Sequence, residues 1–361
     1  MSTVTYRDPL SPTPPAAGIR TPRLTRARGR VARIQQVTSD TFEFVVVLDP
    51  AASPMRASAG QFAILSVPGI ETPHAYSFAR DPAAEADGEH SFLIRLVPGG
   101  EMSTWLASGN RLGAELEVAG PLGEFTLDAS GDPMVLIGGG SGLSAVKALA
   151  EAACRQQLER DCLLLYGART QADLAAAAGI DALSAAWNPV HRFEFVTVLS
   201  EEPVDSDWRG PRGFVTQWLD QRYLASAAIE PSKSRFWLCG PPAMITAGEN
   251  LLWTAGVPAA HVYRDVFEDR STPAPVIDNR RCVLCDECLL VRPVAGCIVE
   301  TGCSSSDANG VLRDYRAIEP GKTAGLYYSG LAIDAQKCIR CSACISVCPH
   351  GAISRPARSA A

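Results

Sequence analysis

The sequence predicts a multidomain chain in three parts: an antiparallel β-barrel, an α/β domain with a parallel sheet, and a small cysteine-rich α+β module. Three observations predict it. Between residues 25 and 130, short apolar runs are separated by Pro, Gly and Asp, the punctuation of a small all-β domain. From Pro133 onward, strand-like and helix-like segments alternate, which implies a parallel sheet covered on both faces. Nine of the twelve cysteines fall between Cys282 and Cys348. A length of 361 residues accommodates two or three domains of roughly 100–200 residues each.

In chain order, residues 1–24 contain Pro9, Pro12, Pro14, Pro15 and Pro22 and are expected to form an extended arm. The barrel, 25–130, includes the runs FEFVVVL (42–48), QFAILSV (61–67) and FLIRLV (92–97) among about six strands. The α/β domain, 131–268, starts with MVLIG (134–138) and an alanine-rich helix near 142–158. LLLYGAR (163–169), a helical segment, FEFVTVLS (193–200) and GFVTQWLDQRYL (213–224) follow. FWLCG (236–240), a helix after Pro242 and a last strand at HVYRDVF (261–267) complete it. Two prolines in EDRSTPAPVIDN suggest a linker at 269–279, and the cysteine module fills 280–361.

An apolar fraction of 47% with 20% charged residues is that of an ordinary globular protein. No run reaches the roughly 20 apolar residues of a membrane span. The first twenty residues lack the apolar core of a secretory signal, so the expected location is the cytoplasm, without membrane partners. Net charge is −6, yet residues 1–35 carry seven Arg against Asp8 alone. That basic stretch is either a solvated tail or a docking strip for an acidic partner. Nucleic acid is not an expected partner, because the stretch has no interleaved aromatics and the chain is acidic overall. Nothing marks the chain for export, so metal ligation accounts better than disulfides for the clustered thiols.

The most specific motif is Cys338, Cys341, Cys344 and Cys348 followed by Pro349, the C-x2-C-x2-C-x3-C-P run that holds [4Fe–4S] clusters. It aligns with an earlier run, Cys282, Cys285 and Cys288, whose fourth position is Arg292. The internal repeat resembles a two-cluster bacterial ferredoxin, in which the fourth Cys of one run ligates the other cluster. That resemblance implies one cluster on Cys282, Cys285, Cys288 and Cys348, and a second on Cys338, Cys341, Cys344 and one further Cys. Cys297 is the expected substitute and Cys303 the alternative. A [3Fe–4S] cluster on three thiolates is the fallback, and zinc the competing metal.

Gly139, Gly140, Ser141 and Gly142 close a buried strand and open a helix, where backbone N–H groups can approach a pyrophosphate. The loop is not a G-x-G-x-x-G fingerprint, since position 143 is Leu. Glu201 and Glu202 follow the FVTVLS strand, which favours the free 2′-hydroxyl of NADH over the phosphate of NADPH.

Four further motifs, in order, resemble ferredoxin–NADP reductase-like flavoproteins over most of residues 28–268. They are His74-Ala75-Tyr76-Ser77, the segment from Arg95 through Gly99-Gly100 to Ser103, the segment Gly120 to Phe125, and Cys239-Gly240-Pro241-Pro242. Within that family the chain resembles the NADH-dependent reductase components of bacterial aromatic oxygenases, such as phenol hydroxylase and benzoate dioxygenase. The resemblance implies a bound FAD contacted by His74, Tyr76, Ser77, Gly99, Gly100, Met102, Ser103 and Phe267. It implies NAD(P)H held by the Gly139–Gly142 loop, Arg169, Cys239, Gly240 and Pro241. Ser77, near flavin N5, and Cys239, near the nicotinamide, would be the catalytic positions. His74 stands where the family has Arg; an unperturbed imidazole is mostly neutral at pH 7, so FMN stays open as an alternative.

Together these features imply an NADH-oxidising reductase that accepts electrons in pairs and delivers them singly to a protein partner, a terminal oxygenase or demethylase. The alternative is an electron-transfer subunit inside a larger complex, like those of dihydroorotate dehydrogenase or sulfite reductase.

Overall fold

The computed structural model describes residues 24–50, 52, 54–177, 179–266, 273–302, 305–315, 317–318 and 330–356. The proline-rich arm before residue 24, Phe267 and Cys303 lie outside them. The described residues divide into two compact units, 24–266 and 273–356.

The larger unit begins with six antiparallel strands: β1 (Thr25–Gln36), β2 (Thr41–Leu48), β3 (Phe62–Ser66), β4 (His74–Ser77), β5 (Glu89–Arg95) and β6 (Glu115–Leu122), with helix α1 (Glu101–Ala107) between the last two. Their order is β4-β3-β6-β1-β2-β5, and a bridge from Phe78 to Phe92 joins the two outer strands into a near-closed barrel. Period-two alternation places each residue. Along β1, Ala27, Gly29 and Val31 point inward while Arg26, Arg28 and Arg30 face out. Phe44, Phe78, Phe92, Ile94 and Leu65 fill the interior, each side chain contributing about 1.5–3 kcal/mol on burial.

The second half of this unit is a five-stranded parallel sheet in the order β11-β10-β7-β8-β9. In chain order its elements are β7 (Met134–Gly139), α2 (Leu143–Arg155), β8 (Cys162–Ala168), α3 (Ile180–Ala186), β9 (Phe193–Leu199), α4 (Val215–Leu219), β10 (Arg235–Gly240), α5 (Pro242–Thr254) and β11 (Val262–Val266). The central strands are continuous apolar runs because both faces are covered. Leu143, Val146 and Leu149 of α2 pack on one face, and Val215, Leu219, Ile245 and Leu252 of α4 and α5 on the other. The GFVTQWLDQRYL segment is helical: α4 continues into a wider π turn at Asp220–Leu224. Where barrel meets sheet, Asp128 accepts a 2.6 Å bond from the buried Arg160 and another, at 3.3 Å, from the Tyr263 hydroxyl.

The cysteine module is built from short pieces. They are β12 (Val276–Ile277), α6 (Glu287–Leu290), β13 (Ile298–Thr301), β14 (Ser305–Ser306), β15 (Leu312–Asp314), β16 (Gly330–Ile333), α7 (Ala343–Val347) and β17 (Ile353–Ser354). Strands pair β12 with β17, β13 with β16 and β14 with β15, all antiparallel. The segment expected to be a linker, 269–279, thus contributes β12 to this module, because Val276 and Ile277 find partners at the far end of the chain. The internal repeat is visible in the backbone. Leu284 and Asp286 in the first run, and Arg340 and Ser342 in the second, take left-handed conformations with φ between 58° and 63°. In the first run the three successive thiols line one cavity.

Candidate functional site

Strands β4, β10 and β11 end at a common point. Parallel pairing sets Cys239 opposite Asp265. The Ser77 hydroxyl donates to Asp265 Oδ2 at 3.1 Å, and the Cys239 thiol points at the same oxygen from 3.9 Å. Ser77 and Cys239 are both buried. Burial, with the Asp265 carboxylate adding to it, pushes the Cys239 thiol well above its ordinary range, so it carries its proton. Asp265 is the functional candidate that sequence reasoning missed. Its one signal is an acid near the end of the strand-like stretch HVYRDVF.

Tyr76 and His74 share β4 with Ser77, their ring centroids 6.4 Å apart. His74 Nε2 lies 3.8 Å from Glu101 Oε2 in the first turn of α1. Burial raises the Tyr76 phenol beyond its ordinary range, leaving a neutral, largely apolar ring. Gly99, at φ 73°, turns the chain into α1, and Ser103 Oγ accepts the Val97 N–H at 2.7 Å, bracing that turn. Met102 is buried in the barrel core, which leaves only its backbone for a ligand.

Next to this floor lies a cleft of about 580 Å³, the size of a small-molecule site. Gly139, Gly140, Ser141, Arg169 and Pro241 line it, together with Asp40 and Arg95 from the barrel side. Gly140 has φ 54°, which favours glycine. Gly142 does not line the cleft. A Cβ there would collide with the Cys239 carbonyl, so Gly142 allows the loop to pack against the end of β10. Arg169 is held from two sides, by Asp173 Oδ1 at 2.9 Å and by Asp40 Oδ2 at 2.9 Å, and Arg95 reaches Asp40 at 3.1 Å. Burial alone would raise the Asp40 carboxyl. Bonds from Arg95, Thr41 and Thr38 and the charge of Arg169 outweigh it and hold Asp40 below the usual carboxylate range. Ser200 also lines the cleft, while Glu202 accepts both the backbone N–H and the side-chain amide of Gln171.

In the cysteine module, Cys282, Cys285, Cys288 and Cys348 surround one cavity closed by Ile277, Leu331 and Ile353. Burial pushes Cys288 up to about 12, and Cys282, Cys285 and Cys348 add to it. Cys297 lies near Cys338 and Cys341. Burial, joined by the charges of Cys338 and Cys297, pushes Cys341 up to about 12, and burial together with Cys341, Cys338, Cys288 and Cys297 raises Cys344. Among the described residues no three Cys, His, Asp or Glu converge on a point that would hold a single ion. Among those residues, no helix is long and apolar enough to cross a membrane.

Comparison with known proteins matches three family models in order: an oxidoreductase FAD-binding domain over residues 28–127, an oxidoreductase NAD-binding domain over 136–250, and a 4Fe-4S binding domain over 331–354. The chain is 38% identical over 240 residues to the electron transfer component of the xylene/toluene monooxygenase of Pseudomonas putida, covering 66% of this chain and 65% of that one. It therefore spans slightly under two thirds of that relative's length. It is 36% identical over 251 residues to the reductase subunit of an Amycolatopsis aromatic O-demethylase, covering 68% of this chain and 69% of the relative. Among solved structures, the Amycolatopsis cytochrome P450 reductase superposes with a TM-score of 0.61 at 32% identity, over 70% of this chain and 73% of that one. The ferredoxin reductase in carbazole 1,9a-dioxygenase gives 0.58 at 29% identity, over 68% and 70%.

Proposed function

Because this chain belongs to the family of FAD- and NAD-binding oxidoreductases that includes these reductase components, we propose that it oxidises NADH at a bound FAD. It then passes the electrons singly, through two [4Fe–4S] clusters, to a terminal oxygenase or demethylase. The observation that carries this reading is the convergence of Ser77 and Cys239 on one oxygen of Asp265, beside a glycine-lined cleft. Bound FAD supplies pairwise electron acceptance and single-electron release, and bound clusters supply one-electron relay.

The protein's part is orientation. Asp265 accepts the Ser77 O–H and faces the Cys239 S–H, and burial keeps the thiol neutral, so both side chains are held in place before a coenzyme binds. Tyr76 offers an apolar ring on the same strand. Ser103, Gly99 and Gly100 provide a braced turn of the kind a flavin pyrophosphate uses, and the match to an FAD-binding domain favours FAD over FMN. Arg169, Ser141 and the backbone of Gly139 and Gly140 would take the nicotinamide coenzyme.

NADH is the coenzyme we favour. Ser200 lines the cleft and two glutamates follow it, while Arg212 is occupied by the carbonyls of Pro203 and Trp208. Cys282, Cys285, Cys288 and Cys348 would hold one cluster and Cys297, Cys338, Cys341 and Cys344 the other, each set offering the four thiolates a cubane needs. The roles of the relatives, which serve a monooxygenase and an O-demethylase, support such an acceptor here. No observation favours the alternative of a subunit in a larger complex.

The test is anaerobic stopped-flow spectroscopy of the purified chain. NADH should bleach the flavin within the catalytic cycle and NADPH far more slowly, and Ser77→Ala should slow bleaching by about 100-fold with coenzyme affinity little changed. Flavin that NADH leaves oxidised would end the proposal.

A further inference from the structure

Although the cysteine module is built as a repeat, its two halves carry opposite charge. Aligning Cys282 with Cys338 pairs most positions like with like. Asp278 and Asp334 each accept the N–H of the first cysteine through their carbonyl oxygens, and Arg281 matches Lys337. These cancel. Between the cysteines they do not. The first loop reads Cys-Val-Leu-Cys-Asp-Glu-Cys and the second Cys-Ile-Arg-Cys-Ser-Ala-Cys.

Asp286 and Glu287 border the cavity of the first set, as does His350. In the second loop the residue matching Leu284 is Arg340, which is buried and donates to the carbonyls of Ala335 and Cys338. Ser342, matching Asp286, accepts a 2.9 Å bond from Arg355. Arg292, standing where the repeat predicts a fourth cysteine, donates at 2.9 Å to the carbonyl of Ile298, the residue after Cys297. Its charge bears on the Cys297 thiol and opposes the effect of burial. Between the cysteines the first loop therefore places Asp286 and Glu287 at its cavity, with Arg280 held by Asp278, whereas Arg292 and Arg340 are bonded to backbone carbonyls beside Cys297 and Cys338.

We propose that the two iron–sulfur centres are electrostatically unlike, and that the centre on Cys297, Cys338, Cys341 and Cys344 has the higher reduction potential, with Arg292 and Arg340 as its tuning residues. Adding an electron makes a cluster more negative. Nearby cations stabilise that state and nearby carboxylates destabilise it, and net charge and hydrogen bonding are among the factors that set these potentials. The first electron to arrive then resides on this centre. The inference rests on the two-cluster reading given above.

The test is an EPR-monitored redox titration of the anaerobically purified full chain, after its iron has been counted. About eight irons per chain establishes the two-cluster reading. Two resolved couples are expected. Arg292→Gln should lower the higher one, changing its reduced-to-oxidised ratio at fixed potential about tenfold, 59 mV for one electron, and leave the lower one in place. Arg292→Lys should restore most of the difference. Because Arg340 is buried, the second arm avoids it: Asp286→Asn with Glu287→Gln should raise the lower couple only. With eight irons present, a single couple, a shift of the wrong couple, or no shift in either variant overturns the inference. About four irons or fewer overturns the two-cluster reading itself, and the inference with it.

Discussion

In the flavin–nicotinamide unit the core is made of large apolar side chains: Trp237, Phe44, Phe78, Phe92, Phe236 and Met134 are all fully buried. In the cysteine module the corresponding cluster is Ile277, Ile298, Leu331 and Ile353, with Cys288 and Cys297 as its other members. Its strands are two to four residues long. The larger unit can fold on buried carbon surface. The smaller has too little of it, and its thiols must bind something for the fold to persist. Stability and chemistry are separable in the first unit and the same thing in the second.

Stripping iron with a chelator under reducing conditions, or Cys341→Ser, should break that contrast most visibly. We expect the module to lose its whole stability, with β13 and β16 amides exchanging like an unfolded chain while β7 and β10 keep their protection. Hydrogen exchange on the intact chain reads both at once.

A defect of comparable local weight can be placed in the larger unit. Asp128→Ala leaves Arg160, whose side chain is 1% exposed, without its carboxylate, and the expected cost is about 3–5 kcal/mol. A calorimetric scan should show the larger unit melting earlier with iron content unchanged.

Acid should act on the barrel through His90. Burial holds this imidazole at about 4 against an ordinary 6.5, so the folded barrel keeps it neutral while the unfolded chain protonates it. Stability contributed by the neutral ring is intact above pH 6.5 and is lost as pH falls from 6.5 toward 4, roughly 3 kcal/mol at most. Urea midpoints across that window should fall in the wild type and flatten in His90→Phe. The smallest expected effect is at the surface. Arg26 meets Glu117 at 2.9 Å with both side chains more than 40% exposed, and Arg26→Ala should move the melting point by no more than about 0.5 kcal/mol allows.

Much of this frame can be read from the residues, for reasons that differ along the chain. The strand FEFVVVL and the helix after Gly142 announce themselves by local period. Cysteine spacing is covalent arithmetic, so the two runs align from the order of their residues alone. What cannot be read this way depends on distant partners. Ser77 and Asp265 are 188 positions apart and meet only because the barrel docks on the sheet at β11. Val276 and Ile277 look like linker until Ile353 and Ser354 arrive to pair with them. Gly142 looks like part of a phosphate cradle, yet its lack of a side chain serves the approach of a neighbouring strand end. Local patterns set the elements, and convergence between elements is a tertiary property.

The pairing of β12 with β17 has one more consequence. A piece of chain whose first and last described strands pair brings those two strands side by side. Such a piece can be grafted onto the tail of another enzyme, or removed from it, without threading through the host's core.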